Sequence, residues 1–425
     1  MSLAKSAFQR SLRLASLAGG IWKEEAFRRL GIKDLTPVRI QQARLLIEEL
    51  GKLKGAAMKF GQILALESRD FFPEPVVAIL ETLQNQAKFL DQAEIEKILN
   101  LELQEHREKL LEVEYPPIAA ASIGQVHCAH FNQEKVVVKI QYPGILETFD
   151  SDLKILDRIL NLMSLFVGKS ETNYSFLMDE IKLSFKKEAD YLAEAQNTIR
   201  YRELAKNMLH IRVPQVFSEV STGRVLTLSY EKGLSLSGAL QKNLLSSELR
   251  QHYAELFLNL YLTEFCSWGF VQTDPNLGNF LLDLTARDLV LLDFGATREF
   301  SPEFRLQYSE LVMASVREDR KRCLELAQML CLLDPRESND AKETLFELLK
   351  LSVSPFRKTY FDLNSDEYSK AMRSIGIKLI RELRFSPPPR DLIFLHRKLG
   401  GIFQILRRLE VTLDLRPFLN AFEGA

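Results

Sequence analysis

The stretch that most constrains this chain is Asp274-Pro275-Asn276-Leu277-Gly278-Asn279, taken together with Asp293-Phe294-Gly295. Asp274 and Asn279 stand in a D-x-x-x-x-N spacing. Asp293 comes fourteen residues after Asn279, behind the apolar run Leu289-Val290-Leu291-Leu292. A short apolar run of this kind reads as a buried strand, which would deliver Asp293 at its end. Phosphoryl transfer asks for these residue types. It needs a carboxylate near the attacking group, and a carboxylate and an amide oxygen to hold Mg²⁺ against phosphates. Asp274 fits the first task, and Asp293 and Asn279 fit the second. Asp-Phe-Gly alone is a weak signal, and the paired spacing makes it a stronger one. Two polar turns flanking a hairpin are the bland alternative.

The upstream half supplies what such a site lacks. Ala119-Ala120-Ala121-Ser122-Ile123-Gly124-Gln125 reads as a small-residue loop. It leads through a strand and a turn at Asn132-Gln133 into the β-branched run Lys135 to Ile140. In a protein kinase a glycine-rich loop covers the phosphates at this place, and a lysine on the third strand grips them. Lys139 stands where that lysine would. The loop has one glycine, Gly124, and alanine resists the φ > 0 conformations that glycine accepts. It should therefore be stiffer and cradle phosphate differently. A kinase also needs a helical glutamate to orient its lysine. Glu188, Asp190 and Glu194 are the candidates, on a helix expected from about residue 174 past 197, with Asp190 and Glu194 on one face. A solvated strand end for Lys139 and a solvated helix face for the acids are the alternatives. After the strand Arg224 to Tyr230, the connector at Tyr230 and Glu231 is where a hinge would bind adenine through backbone groups.

A length of 425 residues suggests two or three lobes. The pattern predicts an α+β, kinase-like two-lobe fold with boundaries at 1–105, 106–232 and 233–425. The first segment is a helical extension carrying Lys59-Phe60-Gly61-Gln62. The second is a strand-rich lobe with a helical insertion. The third reads as helical after Leu236 except for the site hairpin, with helices at 247–268, 302–315, 317–333, 340–352, 366–383 and 390–409. Fifty-six basic against fifty-seven acidic residues leave a net charge of -1, which gives no global pull toward nucleic acid. Four cysteines without a C-x-x-C pair read as thiols of a reducing compartment. The apolar run Ile393 to Leu409 is broken by His396, Arg397, Lys398, Arg407 and Arg408, so a soluble or membrane-peripheral chain is expected. The first 23 residues carry Lys5, Arg10, Arg13 and Lys23 and no acid. They read as a basic amphipathic membrane helix, a mitochondrial presequence, or an ordinary packed helix.

Five segments together resemble the UbiB family of atypical kinases, also called the ADCK or coenzyme-Q kinase-like family. They are Lys59 to Gln62 (KxGQ), the alanine-rich Ala119 to Gln125, Lys139 to Gly144, Glu188-Ala189-Asp190 (ExD), and Asp274 to Asn279 with Asp293 to Gly295. Leu395-His396-Arg397-Lys398-Leu399-Gly400-Gly401 is similar to the family as well. The resemblance implies that the KxGQ extension folds over the active site where a protein substrate would dock. It implies that Lys59 pairs with the ExD carboxylates, so that phosphorylation of proteins in trans is disfavoured. It also implies ATP and Mg²⁺ binding, ATPase-like activity at a membrane surface, and a tie to ubiquinone biosynthesis and its enzymes. The chain departs from the family's His-Ala-Asp-Pro-His-Pro-Gly-Asn, which here reads Gln272-Thr273-Asp274-Pro275-Asn276-Leu277-Gly278-Asn279.

The function expected on this basis is an atypical kinase or ATPase. Lys59, Gln62, Lys139 and Asp274 are its catalytic groups, and Asn279 and Asp293 its metal ligands. The nucleotide would be held by Ala119, Ala120, Ala121, Ser122, Gly124, Gln125, Lys139, Glu188, Asp190, Glu194, Tyr230 and Glu231. The altered loop favours a rival, a nucleotide- and lipid-binding scaffold without turnover. A cytoplasmic, membrane-peripheral setting is expected, with a mitochondrial one as the alternative.

Overall fold

The computed structural model describes residues 89–121, 123–145, 147, 154, 185–358, 361–362, 366–386 and 389–423. The Lys59 to Gln62 segment, the basic first 23 residues, Ser122 and most of the helices expected over 145–184 lie outside the described residues. The chain divides into two compact units, residues 1–191 with 219–227, and residues 192–218 with 228–425.

The first unit opens with α1 (Gln92–Leu103). Asp91 caps it by accepting the Glu94 N–H at 2.9 Å, and Glu94 accepts the Asp91 N–H in return. Ile95, Leu99 and Leu103, spaced by four, are its buried stripe. Four strands follow: β1 (Leu110–Leu111), β2 (Ala119–Ala121), β3 (Gly124–Phe131) and β4 (Glu134–Gln141). β1 and β2 both pair with β3, β3 pairs with β4, and the later strand Val225–Ser229 lies outside β4. Val136, Val138 and Ile140 alternate into the core at 0% exposure. The β3–β4 hairpin turns at Asn132 and Gln133, with φ of 50° and 67°. Two positive φ angles give the turn whose twist matches the strands it joins.

Two expectations need correcting here. Ala119 to Ala121 form strand β2 rather than a loop, with Ala121 opposite Gly124. Alanine takes extended backbone readily, and the segment gains antiparallel ladder hydrogen bonds on β3. The long helix expected through Asp190 is broken. Residues 185–188 are helical, Ala189 is a turn, and α2 (Tyr191–Ala205) starts afresh. The buried Gln141 amide donates to the Ala189 carbonyl at 3.1 Å, so a long-range contact takes an acceptor that a continuing helix would use. Asp190 and Glu194 therefore do not share one continuous helical face.

In the second unit β5 (Ile211–Arg212) and the end of β6, the strand Val225–Ser229, lead to β7 (Leu234–Ser235) and α3 (Leu236–Gln241). α4 (Ser247–Leu262) runs on as a π-helical segment, Thr263–Trp268. Then come β8 (Phe270–Gln272), β9 (Phe280–Asp283), β10 (Asp288–Leu291) and β11 (Thr297–Glu299). A sheet of order β5-β10-β9-β7 carries one parallel pair, β5 with β10, and β8 pairs with β11 as a separate ribbon. The rest is mainly helical: α5 (Pro302–Val316), α6 (Arg320–Met329), α7 (Asn339–Val353), α8 (Asp366–Glu382), α9 (Arg390–Leu409) and α10 (Asn420–Glu423). β12 (Phe361–Asp362) pairs with β13 (Thr412–Leu413). Ser246, Ser301, Asp319 and Ser338 cap the helices that follow them. The core of this unit gathers Phe257, Phe265, Phe280 and Phe294 against Leu395, Ile402, Ile405 and Leu406 of α9. The expected helix ends agree within about four residues. The ribbons β8–β11 and β12–β13 were not expected, because strands of two or three residues carry no period.

Gln133 is a side-chain-bearing residue at φ 67°. Gln133→Gly should stabilise the first unit by roughly 0.5–1 kcal/mol, read as a higher denaturant midpoint with an unchanged slope. A lower midpoint would mean that this hairpin is not under backbone strain.

Candidate active site

In the second unit the loops around Asp274 and Asp293 are tied together by backbone before any side chain acts. Gln272 pairs with Thr297 across the β8–β11 ribbon. The Thr273 N–H and hydroxyl both donate to the Ala296 carbonyl, at 2.8 and 2.7 Å. The Leu292 N–H donates to the Asn279 carbonyl at 2.9 Å. Asn279 and Asp293 are thereby held one residue apart across a hydrogen bond. The Asp274 carboxylate accepts the Asn279 amide N–H at 2.7 Å on one oxygen and the Arg397 guanidinium at 3.3 Å on the other. Asp293 Oδ1 accepts the Gly295 N–H at 2.9 Å.

Glu194 belongs to this group. A Cβ added at Gly295 would stand 3.4 Å from Asp293 Oδ1 and 3.8 Å from the Glu194 carboxyl carbon. Glu194 is buried on α2. That helix is bound to the Asp-Phe-Gly segment by the Asn197 amide on the Phe294 carbonyl, 3.1 Å, and by the Tyr201 ring against Phe294 at 4.6 Å. Of the three candidate acids, the structure brings Glu194 to Asp293. Glu188, half-buried, and Asp190, exposed, belong to the first unit.

Beneath the loops lies a polar cluster that sequence reasoning missed. Lys398 is 1% exposed and Glu264 fully buried, 3.3 Å apart. Glu264 also accepts the Tyr201 hydroxyl at 2.7 Å and the Gln272 N–H at 3.0 Å. Burial pushes the Glu264 carboxyl up, against the pull of Lys398 and these hydrogen bonds. Lys398 donates to Gln272 Oε1 at 2.9 Å. The Gln272 amide nitrogen then donates to the carbonyls of Asp274, 2.8 Å, and Asp293, 3.4 Å. One side chain therefore braces both loops. The available signal was Lys398 itself, a charge on the buried stripe Leu395, Lys398, Ile402, Ile405 of α9. Gly401 on the same helix is obligatory, since a Cβ there would meet the Pro275 ring at 1.9 Å.

The connector Tyr230–Gly233 is pinned through Arg212, which reaches Glu231 at 2.8 Å, Asp283 at 3.1 Å and the Lys232 carbonyl at 2.9 Å. The Glu231 side chain is committed to that arginine and to the Ser229 hydroxyl, which leaves only its backbone for a ligand.

In the first unit Lys139 lies within β4 at 9% exposure, its ammonium 5.0 Å from the centre of the Tyr191 ring. That rules out a solvated strand end. Ala119 and Ala120 are exposed and Ala121 half-buried. Gly124 answers to packing, because a Cβ would meet the Ile140 carbonyl oxygen at 2.2 Å. Gln125 is corrected as a nucleotide ligand. Its side chain is buried, accepts the Leu90 N–H at 3.0 Å and donates to His127 Nε2 at 2.8 Å, so both ends are used inside the unit. His127 Nδ1 in turn donates to the Glu114 carbonyl at 2.9 Å.

Asn279 and Asp293 offer an amide oxygen and a carboxylate, the sparse hard-oxygen set with which Mg²⁺ keeps phosphate and water in its remaining positions. Among the described residues no cluster of three or more His, Cys, Asp or Glu could hold a metal by itself. The donor set thus fits a magnesium nucleotide. The Asp274 carboxylate is held in one orientation by Asn279 and Arg397.

Two outcomes follow from this geometry. Lys398→Met should cost about 3–5 kcal/mol in urea unfolding, because it strands the buried Glu264 charge. Adding Glu264→Gln, which keeps an acceptor for Tyr201 and Gln272, should restore about 2 kcal/mol or more. Additive losses would show that the two residues are not coupled. Burial lowers the His127 pKa below its ordinary 6.5. The neutral ring stabilises the fold fully above 6.5, and that contribution is lost as the pH falls from 6.5 toward the lowered value. Unfolding measured between pH 7.5 and 5 should show this loss, and His127→Gln should flatten it.

Comparison with known proteins agrees with these features. A family profile described as the ABC1 atypical kinase-like domain matches residues 82–327. The chain is 32% identical to atypical kinase COQ8, mitochondrial, of Saccharomyces cerevisiae over 97% of its own length and 84% of the relative's. It is 32% identical to atypical kinase COQ8B, mitochondrial, of Rattus norvegicus, covering 89% of this chain and 71% of that one. The solved Rv3197–erythromycin complex of Mycobacterium tuberculosis shares the fold at a TM-score of 0.63 and 24% identity, over 89% of this chain and 95% of the other. With a kinase-like α+β fold and a profile match across more than half its length, the chain belongs to the ABC1, or UbiB/ADCK, family of atypical kinases.

Proposed function

We propose that this chain binds Mg·ATP and transfers or hydrolyses its terminal phosphoryl group, in support of ubiquinone or another isoprenoid lipid pathway at a membrane surface. The observation that carries the reading is the Asp274–Asn279 hydrogen bond of 2.7 Å, with Asn279 joined through its carbonyl to the strand end that delivers Asp293. In this reading Asp293 and Asn279 hold the metal, Lys139 contacts the phosphates, and Glu194 is the helical acid beside Asp293. Ala119–Ala121 enter as nucleotide-binding residues through the family resemblance, and the backbone at Tyr230 and Glu231 receives the base. Lys59 and Gln62 enter through the family resemblance, as the groups that cover the site and disfavour a protein acceptor. The mitochondrial names of the relatives favour a mitochondrial setting.

A scaffold without turnover is the second reading. It is favoured by one contact, Arg397 on the Asp274 carboxylate at 3.3 Å. Two measurements separate the readings. Mg·ATP should raise the melting temperature of the wild type, by linkage, and should raise that of Asp293→Asn much less. Equal shifts would remove Asp293 from the metal site. Phosphate release by the wild type above the Asp293→Asn background, with vesicles present, supports turnover. Binding without release supports the scaffold.

A further inference from the structure

A cavity of about 420 Å³ opens on the second unit, and none of its lining residues belongs to the Asp274 or Asp293 loops. That volume falls within the roughly 300–1,000 Å³ of small-molecule sites. One wall is α4 with the π-helical segment that continues it. Glu255, Asn259, Thr263 and Ser267 follow one another at intervals of four along that wall. Residues four apart are neighbours on one side of a helix, so the four make a polar row. Another wall is built by Pro417 and Phe418 of the short 3-10 helix Arg416–Leu419. A polar row on a helix ordinarily faces open water. Here it shares a cavity with a proline and a half-buried aromatic ring.

The hydrogen-bonding capacity of the row is mostly unspent. Glu255 Oε1 accepts the Gln251 amide at 2.8 Å. The Asn259 carboxamide and the Thr263 and Ser267 hydroxyls are bonded to no other side chain or carbonyl among the described residues. The row thus offers a carboxylate oxygen that only accepts, a carboxamide that donates and accepts, and two hydroxyls that do either. No basic side chain lines the cavity among the described residues. Thr263 and Ser267 stand on the same π-helical segment that carries Glu264 into the buried cluster. Such segments are frequent at functional sites.

We propose that this cavity binds a small, uncharged, polyhydroxylated ligand, a sugar or polyol. Each hydroxyl of such a molecule both donates and accepts, which matches a row that mixes the two. The apolar C–H face of a sugar ring suits Phe418 and Pro417. Glu255, with no cation beside it in the cavity, repels phosphates and carboxylates. A ligand without hydroxyls would strip water from the row and leave it unpaired. The site does not depend on the nucleotide reading.

The test is saturation-transfer NMR and titration of the full chain with glucose, myo-inositol and glucose 6-phosphate. Glucose or inositol should bind, and the phosphorylated sugar should bind more weakly. Asn259→Leu should weaken that binding about tenfold, the worth of one or two net hydrogen bonds. Ala421→Leu narrows the cavity without touching the row and should weaken it as well. Unchanged urea midpoints report that the variants are folded. Octyl glucoside compared with glucose separates two sources of the same chemistry. Tighter binding of the alkylated sugar points to a lipid headgroup, and equal binding to a free sugar. Binding should persist in saturating Mg·ATP. Competition by Mg·ATP would put the sugar at the nucleotide site and overturn the proposal. Variants that bind like the wild type, tighter binding of glucose 6-phosphate, or no binding of glucose and inositol would overturn it too.

Discussion

The second unit depends on a charge pair that would be costly to bury by itself. Taking an ammonium and a carboxylate out of water costs several kcal/mol each, and their attraction repays it only when the remaining donors and acceptors are used. Tyr201 and Gln272 both donate to Glu264 Oε1 and Lys398 donates to Gln272, while Glu264 Oε2 has the Lys398 ammonium 3.3 Å away and no hydrogen bond of its own. The pair therefore works through what it positions more than through its own strength. Removing any member leaves another polar group stranded, so five chain segments must take up one arrangement together. Those segments are α2, the π-helical stretch after α4, β8, the Asp274 loop and α9. A π-helical turn is a common device where a helix must re-aim a side chain. Here it carries Glu264 into the cluster.

The departure at Gln272 from the family's histidine becomes intelligible in this setting. On one side stands the Lys398 ammonium, which needs an acceptor. On the other stand two loop carbonyls, which need donors. A carboxamide has an oxygen for the first and two N–H groups for the second. α9 completes the support from within one turn. Lys398 reaches Gln272, Arg397 reaches Asp274, and Gly401 lets the Pro275 ring lie against the helix backbone. The Leu395 to Gly401 similarity to the family is thus a matter of loop support.

What could be read in advance was what is local. The D-x-x-x-x-N spacing and Asp-Phe-Gly singled out Asp274, Asn279 and Asp293, and the structure brings these three residues together. Asn132-Gln133 marked its turn, and the serine and aspartate caps marked helix starts. What stayed hidden depends on contacts between distant residues. Glu264 lies on an apolar helix far upstream of Lys398, and nothing in either neighbourhood names the other. The break at Ala189 is made by Gln141, and Gln125 looked like a ligand until Leu90 and His127 were seen to occupy its amide. The alanine segment was misread for a different reason. Small residues permit a loop and a strand equally, and pairing with β3 decides.

The contact between Arg397 and Asp274 bears on the phosphoryl transfer proposed for this chain. Both Asp274 oxygens have partners, one an amide and one a guanidinium. The transition state of phosphoryl transfer is loose and asks mainly for positioning and for charge to be met in place. A carboxylate locked in orientation suits that need. A fixed guanidinium beside it also supplies positive charge close to where a phosphoryl group would stand. Arg397 therefore orients Asp274 without removing the role proposed for it. Because Arg397 directly precedes Lys398 on α9, the charge that orients the candidate base and the charge that braces its loop are set by the same helical turn.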